Sequence, residues 1–131
     1  MDWKEGNLKQ NNHGKERFLH TLWLNINRRC NLRCIWCYAK MEGYDNSDMS
    51  IEIVKKYVIL AAELGADSVV LIGGEPTMHP NFFKIIEIIK LAGLKVFLAT
   101  NGIKFSDKEF LKKSIDADIS SVAISFKVNV H

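Results

Sequence analysis

No stretch of this chain approaches the roughly 18–20 consecutive apolar residues that a membrane span requires. The first 17 residues are rich in Asn, Gly, Lys and Glu. They lack the apolar core of a secretory leader and read as a flexible arm. A cytoplasmic protein is therefore expected. Charge of one sign is also in short supply. Eighteen basic and fifteen acidic side chains leave a formal net charge of +3, too mild to imply a nucleic-acid partner. Proline occurs only twice, at Pro76 and Pro80, so few places forbid regular structure. Cysteine occurs three times, and all three fall within eight residues. In a reducing compartment such a cluster points to metal ligation or catalysis before disulfides.

What is present is one domain's worth of core. The chain has 131 residues, 47% of them hydrophobic, and shows no internal repeat. Residues 18–131 are expected to form that domain. Residues 20–27 alternate, with Leu22, Leu24 and Ile26 on one side, which predicts a strand. Ser50 is a plausible N-cap for a helix ending at Gly65. Its apolar face is expected to be wide, with Val54, Val58 and Ala61 flanked by Ile53, Tyr57, Leu60 and Leu64. Residues 68–72 carry an unbroken apolar run, Val69-Val70-Leu71-Ile72, the pattern of a strand covered on both faces. Pro80 suits the first turn of a second helix carrying Phe82, Ile85, Ile86 and Ile89. Residues 94–99 predict a third strand and residues 119–126 a fourth. Between these two, Ser106-Asp107-Lys108-Glu109 matches a capping box opening a third helix. Strands alternating with helices predict an α/β fold with a parallel sheet, curved like part of a barrel.

Each unusual cluster falls where a strand ends. Cys30, Cys34 and Cys37 follow the first strand, Gly73-Gly74-Glu75-Pro76 the second, and Thr100-Asn101-Gly102 the third. Ligands of α/β folds bind at that edge. The cysteine spacing is C-x3-C-x2-C. Three thiolates suit a soft metal centre, and on a cubane cluster they leave one iron open. A closed zinc site would need a fourth ligand such as His20 or His79. Three ordinary cysteines that happen to lie close together, or a disulfide with one free thiol, are the remaining alternatives. Glycines at the second turn let a ligand approach the backbone, and Glu75 offers a carboxylate to a cation. Taken alone the same turn is more often a tight connection, Asn101 is equally readable as a turn former, and His79 reads as a loop or helix-entry residue before a ligand.

Together these motifs resemble the radical S-adenosylmethionine (radical SAM) superfamily, over residues 22–126. The resemblance implies that Cys30, Cys34 and Cys37 hold a 4Fe–4S cluster, with Trp36 as the aromatic residue before the last cysteine. It implies that S-adenosylmethionine chelates the open iron and is cleaved reductively to a 5′-deoxyadenosyl radical, which abstracts hydrogen from a substrate. Such oxidoreductase chemistry belongs to the cofactors, while the protein supplies position and excludes water. By the same resemblance the Gly73–Pro76 turn, Glu75 included, holds the methionine ammonium. Thr100 and Asn101 border the cofactor, Ser125 lies near its ribose or carboxylate, and Lys127 pairs with the carboxylate. Arg28, Arg29 and Arg33 read singly as a solvated basic loop, or else face the cluster or an electron donor such as flavodoxin or ferredoxin. The family core normally has six strand–helix units, and four are readable here. The fourth strand would then be an open edge, which predicts self-association or a complementing subunit. A cluster-binding module without turnover, or a fragment, is the alternative to an active enzyme. A pure electron carrier would normally have a fourth cluster ligand from the protein.

Overall fold

The computed structural model describes residues 17–29 and 47–125. Cys30, Arg33, Cys34, Trp36, Cys37 and Lys127 lie outside the described residues, as does nearly all of the N-terminal arm. Four strands, β1 (Thr21–Asn25), β2 (Ser68–Ile72), β3 (Lys95–Thr100) and β4 (Ser121–Ile124), alternate with three helices. The helices are α1 (Ile51–Glu63), α2 (Phe82–Leu91) and α3 (Lys108–Asp116). The strands form one parallel sheet in the order β1-β2-β3-β4, the expected architecture.

The period of two sorts each strand into a core face and an opposite face. Leu24, Leu71 and Leu98 stand in register across three strands, and all three are buried. Val54, Val58 and Ala62 of α1 and Phe82, Ile85, Ile86 and Ile89 of α2 complete the same core. The opposite face is more open. Trp23 is 64% exposed there, while Val70 and Phe97, beside it in register, are half-buried. The apolar run of β2 is thus buried at Val69 and Leu71 but half-covered at Val70 and Ile72. The double-sided burial expected of it is only partly realised.

Several local expectations are met and others corrected. The Ser50 hydroxyl accepts from the Ile53 N–H at 3.3 Å and caps α1. Gly65 follows the helix with φ of +95°, a conformation open mainly to glycine. The buried face of α1 is narrower than its sequence suggests. Ile53 and Tyr57 are each 45% exposed, because the sheet reaches only the stripe of Val54 and Val58. Pro80 precedes α2 instead of occupying its first turn, and Asn81 is the cap residue. The cap of α3 is Asp107, one residue later than the capping-box reading. Its Oδ1 accepts from the N–H groups of Glu109 at 2.9 Å and Phe110 at 3.3 Å. Ser106 is already committed, donating to the Ile103 carbonyl at 2.8 Å in a 3-10 turn (Ile103–Ser106).

Beyond α3 the chain turns through Asp118, which adopts φ of +58°. Lys90 donates to its carboxylate at 2.8 Å. That hydrogen bond, and the charge behind it, hold the Asp118 carboxyl below the usual carboxylate range. A depressed pKa means the pair contributes above the ordinary carboxylate range and is lost as pH falls. Asp118 is open to solvent, so salt screens the effect. All four residues of β4, an edge strand of the sheet, are exposed.

Candidate functional site

The site is built at the C-terminal edge of the sheet, where three chain segments meet. The first is the continuation of β1. Asn27 forms an antiparallel bridge with Asp48, and the Arg28 N–H donates to the Ser47 carbonyl at 3.1 Å. Arg29 pairs with the Asp48 carboxylate at 3.1 Å. These bonds bring residues 29 and 47 together, so both ends of the segment carrying the three cysteines are anchored at one place.

The second segment is the turn after β2. It packs backbone to backbone on the first. The Gly74 N–H donates to the Asn27 carbonyl at 2.8 Å, the Glu75 N–H donates to the Arg29 carbonyl, and the Asn27 amide returns a bond to the Glu75 carbonyl at 2.8 Å. The glycines are needed for this contact. A Cβ at position 74 would lie 2.5 Å from the Arg28 carbonyl oxygen, and one at 73 would lie 2.8 Å from that of Asn27. The sequence left Gly73 and Gly74 two readings, room for a ligand and a tight connection. The close approach found is that of the chain's own residues 27–29.

The third segment is the turn after β3, and Glu75 joins it to the second. Glu75 is 1% exposed, and both carboxylate oxygens are engaged. Oε1 accepts from the Asn101 N–H at 2.7 Å. Oε2 accepts from the Thr100 hydroxyl at 2.6 Å, the Thr77 N–H at 3.2 Å and the Thr77 hydroxyl. No cationic side chain pairs with Glu75 among the described residues. The carboxylate thus meets neutral donors of the protein, where the sequence reading offered it to a cation. Pro76 is buried at the start of a 3-10 turn (Pro76–Met78) that Glu75 caps. Ser125, after β4, donates its N–H to the Thr100 carbonyl at 2.8 Å, and the residue is exposed beside that turn.

Sequence reasoning grouped Gly73, Gly74, Glu75, Pro76, Thr100, Asn101 and Ser125, and the fold brings these seven to one edge. It missed Asn27 and Asp48, whose roles rest on contacts distant in sequence, and it gave Thr77, which bonds Glu75 two residues away, no role of its own. The Asn101 side chain accepts from the Ile103 N–H at 3.0 Å, the turn-forming role weighed for it. His79 is 4% exposed with both ring nitrogens in use. Nδ1 accepts from the Asn81 N–H at 2.9 Å, so Nε2 is the donor to the Met49 carbonyl at 2.8 Å. That removes His79 as the fourth ligand of a zinc site and confirms it as a helix-entry residue. Replacing it with Phe removes the partner of the Met49 carbonyl and of the Asn81 N–H, both of them part-buried bonds. We expect a loss of about 1 kcal/mol in urea unfolding.

The profile of the radical SAM superfamily matches residues 24–128, which include the cysteines and every turn just described. The chain belongs to this superfamily. Among relatives, it is 31% identical over 102 residues to Fe-coproporphyrin III synthase of Methanosarcina barkeri, covering 77% of this chain and 25% of that protein. It is 33% identical over 118 residues to GTP 3′,8-cyclase of Tolumonas auensis, covering 86% of this chain and 34% of that enzyme. It is also 31% identical over 109 residues to a protein of Pyrococcus furiosus named as modifying the cofactor of tungsten-containing aldehyde ferredoxin oxidoreductase. There the match covers 82% of this chain and 30% of that protein. This radical SAM chain therefore spans about a quarter to a third of the length of these relatives.

The residues present fit the family's cofactors. Three thiolates in one short segment suit an iron–sulfur cluster with one open corner. Among the described residues no group of three or more His, Cys, Asp or Glu forms a rival metal site. Among the described residues, Asp48 Oδ1 is buried without a hydrogen-bond partner at the mouth of the cysteine segment. A leftover acceptor there suits a ligand that brings donors, such as an ammonium group.

Proposed function

We propose that this chain holds a 4Fe–4S cluster on Cys30, Cys34 and Cys37 and binds S-adenosylmethionine across the edge formed by residues 73–76, 100–101 and 125. When bound, the reduced cluster supplies the electron that cleaves the sulfonium and starts hydrogen abstraction from a substrate. The protein's part is placement. The Gly73–Pro76 turn offers backbone groups to the methionine end, Asn101 and Ser125 border the rest, and Trp36 and Lys127 are assigned to the same cofactor. The observation that carries this reading is the meeting of three strand ends, through Asn27 and Glu75, at the mouth of the cysteine segment.

The test is anaerobic reconstitution with iron and sulfide, reduction, and addition of S-adenosylmethionine. We expect cluster absorbance and release of 5′-deoxyadenosine. Cys34→Ala is expected to abolish both, and full iron retention in that variant would overturn the ligand assignment. A cluster without product would favour a second reading, a cluster-binding module that needs further sequence or a partner. The short span relative to its relatives favours keeping that reading.

The exposed edge strand β4 supports association with a second copy or a complementing subunit. Light scattering at micromolar concentration is expected to show species larger than the monomer. A monodisperse monomer counts against the pairing. Arg28 and Arg33 are assigned to the approach of an electron donor of the flavodoxin or ferredoxin kind.

A further inference from the structure

We infer that Glu75 and Thr100 are positioning residues, a strut that fixes the turn after β2 from the end of β3, and not direct contacts of the cofactor. The inference rests on the reading of this edge as the S-adenosylmethionine site, and it changes the role of two residues within it.

Geometry carries the assignment. Thr100 and Glu75 are 3% and 1% exposed, so neither presents a free polar group to a ligand. The Thr100 hydroxyl accepts from the Gly102 N–H at 3.1 Å and donates to Glu75 Oε2 at 2.6 Å. A relay thus runs from the third-strand turn into the carboxylate. The carboxylate passes it on to the Thr77 N–H at 3.2 Å, inside the 3-10 turn that follows the two glycines. Its other oxygen takes the Asn101 N–H at 2.7 Å. One backbone N–H therefore points at each oxygen. A glutamine at 75 would set its NH2 group against one of them in either orientation, so only a carboxylate satisfies both turns. Both oxygens are spent on holding two stretches of backbone. What the cofactor would meet is the backbone so held.

The test separates this role from general stability. Thr100→Val removes the donor at nearly constant volume, and Thr100→Ser keeps it. After reconstitution we expect both variants to retain wild-type iron content. Thr100→Val should bind S-adenosylmethionine about tenfold more weakly, and Thr100→Ser within about twofold of wild type. Binding is read from the change in the reduced cluster's spin-resonance signal. Unchanged affinity in Thr100→Val, or equal weakening in both variants, overturns the strut. A second measurement needs no variant and no cofactor. In the wild-type apo chain the Thr77 and Asn101 amides should be protected from hydrogen exchange and open with a common free energy. Fast or unrelated exchange at the two overturns the inference. Failure of the wild-type chain to bind S-adenosylmethionine would sink the functional reading, while the exchange result still decides the strut.

Discussion

Substituting Gly74 by Ala is expected to destabilise the protein by at least ~3 kcal/mol and to shift its urea midpoint accordingly. The added methyl meets the carbonyl oxygens of Arg28 and Arg29, which are backbone and cannot rotate away. Relief requires the turn to move off the continuation of β1. That movement breaks the bonds from the Gly74 and Glu75 N–H groups to Asn27 and Arg29. By contrast, nothing lies within 4 Å of a Cβ at Gly93, although its φ of +81° adds strain of its own. Gly93→Ala should therefore cost only about 1 kcal/mol, the backbone strain alone. Equal losses at the two positions would show that the close approach at Gly74 does not exist in solution. In reconstituted protein, Gly74→Ala is also expected to lower iron retention, since residues 28 and 29 lead straight into Cys30.

Glu75→Leu is expected to lose about 3–5 kcal/mol, among the largest effects of any single substitution in this chain. Leucine is apolar and somewhat bulkier, and it accepts no hydrogen bonds. It leaves the buried Thr77 N–H and the part-buried Asn101 N–H without their carboxylate acceptor, while the two threonine hydroxyls can seek other partners. A fully buried side chain cannot be compensated by water without reopening the turn. Unfolding followed by circular dichroism gives the number directly. A loss under about 1 kcal/mol would mean the carboxylate is exposed or unbonded in solution.

Much of the frame could be read in advance because local signals agreed with one another. The run of residues 68–72 is bounded by Asp67 on one side and a Gly-Gly pair on the other, and it is a strand between those limits. Ser50 before Ile51 reads as a cap and is one. Where two local signals compete, pattern alone fails. Ser106 and Asp107 are adjacent and both good caps, and the 3-10 turn from Ile103 decides between them by claiming the serine. Burial of α1 was misjudged for a different reason. Helical spacing says which residues share a face, not how far the sheet extends beneath it, so Ile53 and Tyr57 remain half-open.

The edge where the motifs cluster was likewise legible, since each motif follows a strand. The wiring was not. Gly73 and Gly74 answer to Asn27 and Arg29, more than forty positions earlier in the chain. Glu75 answers to Thr100 and Asn101, a contact across β2 and β3 that no spacing rule encodes. A motif match names residues that belong together. It does not tell a side chain that touches a ligand from one that holds the backbone which does.

The strand order has a meaning for how the protein comes to be made. Every pairing in the sheet is between strands consecutive in the chain, so no strand must wait for a later one to be inserted between it and its neighbour. As synthesis proceeds from the N-terminus, β2 has β1 to dock on, β3 has β2, and β4 has β3. The buried registers Leu24, Leu71 and Leu98 are complete once the third strand emerges, and the exposed β4 is added to a core that already exists. Growth by accretion at one edge puts the Gly73–Glu75 turn in place before Thr100 arrives to brace it. The brace between Glu75 and Thr100 thus closes with the emergence of β3, and Ser125 joins the same edge only after β4.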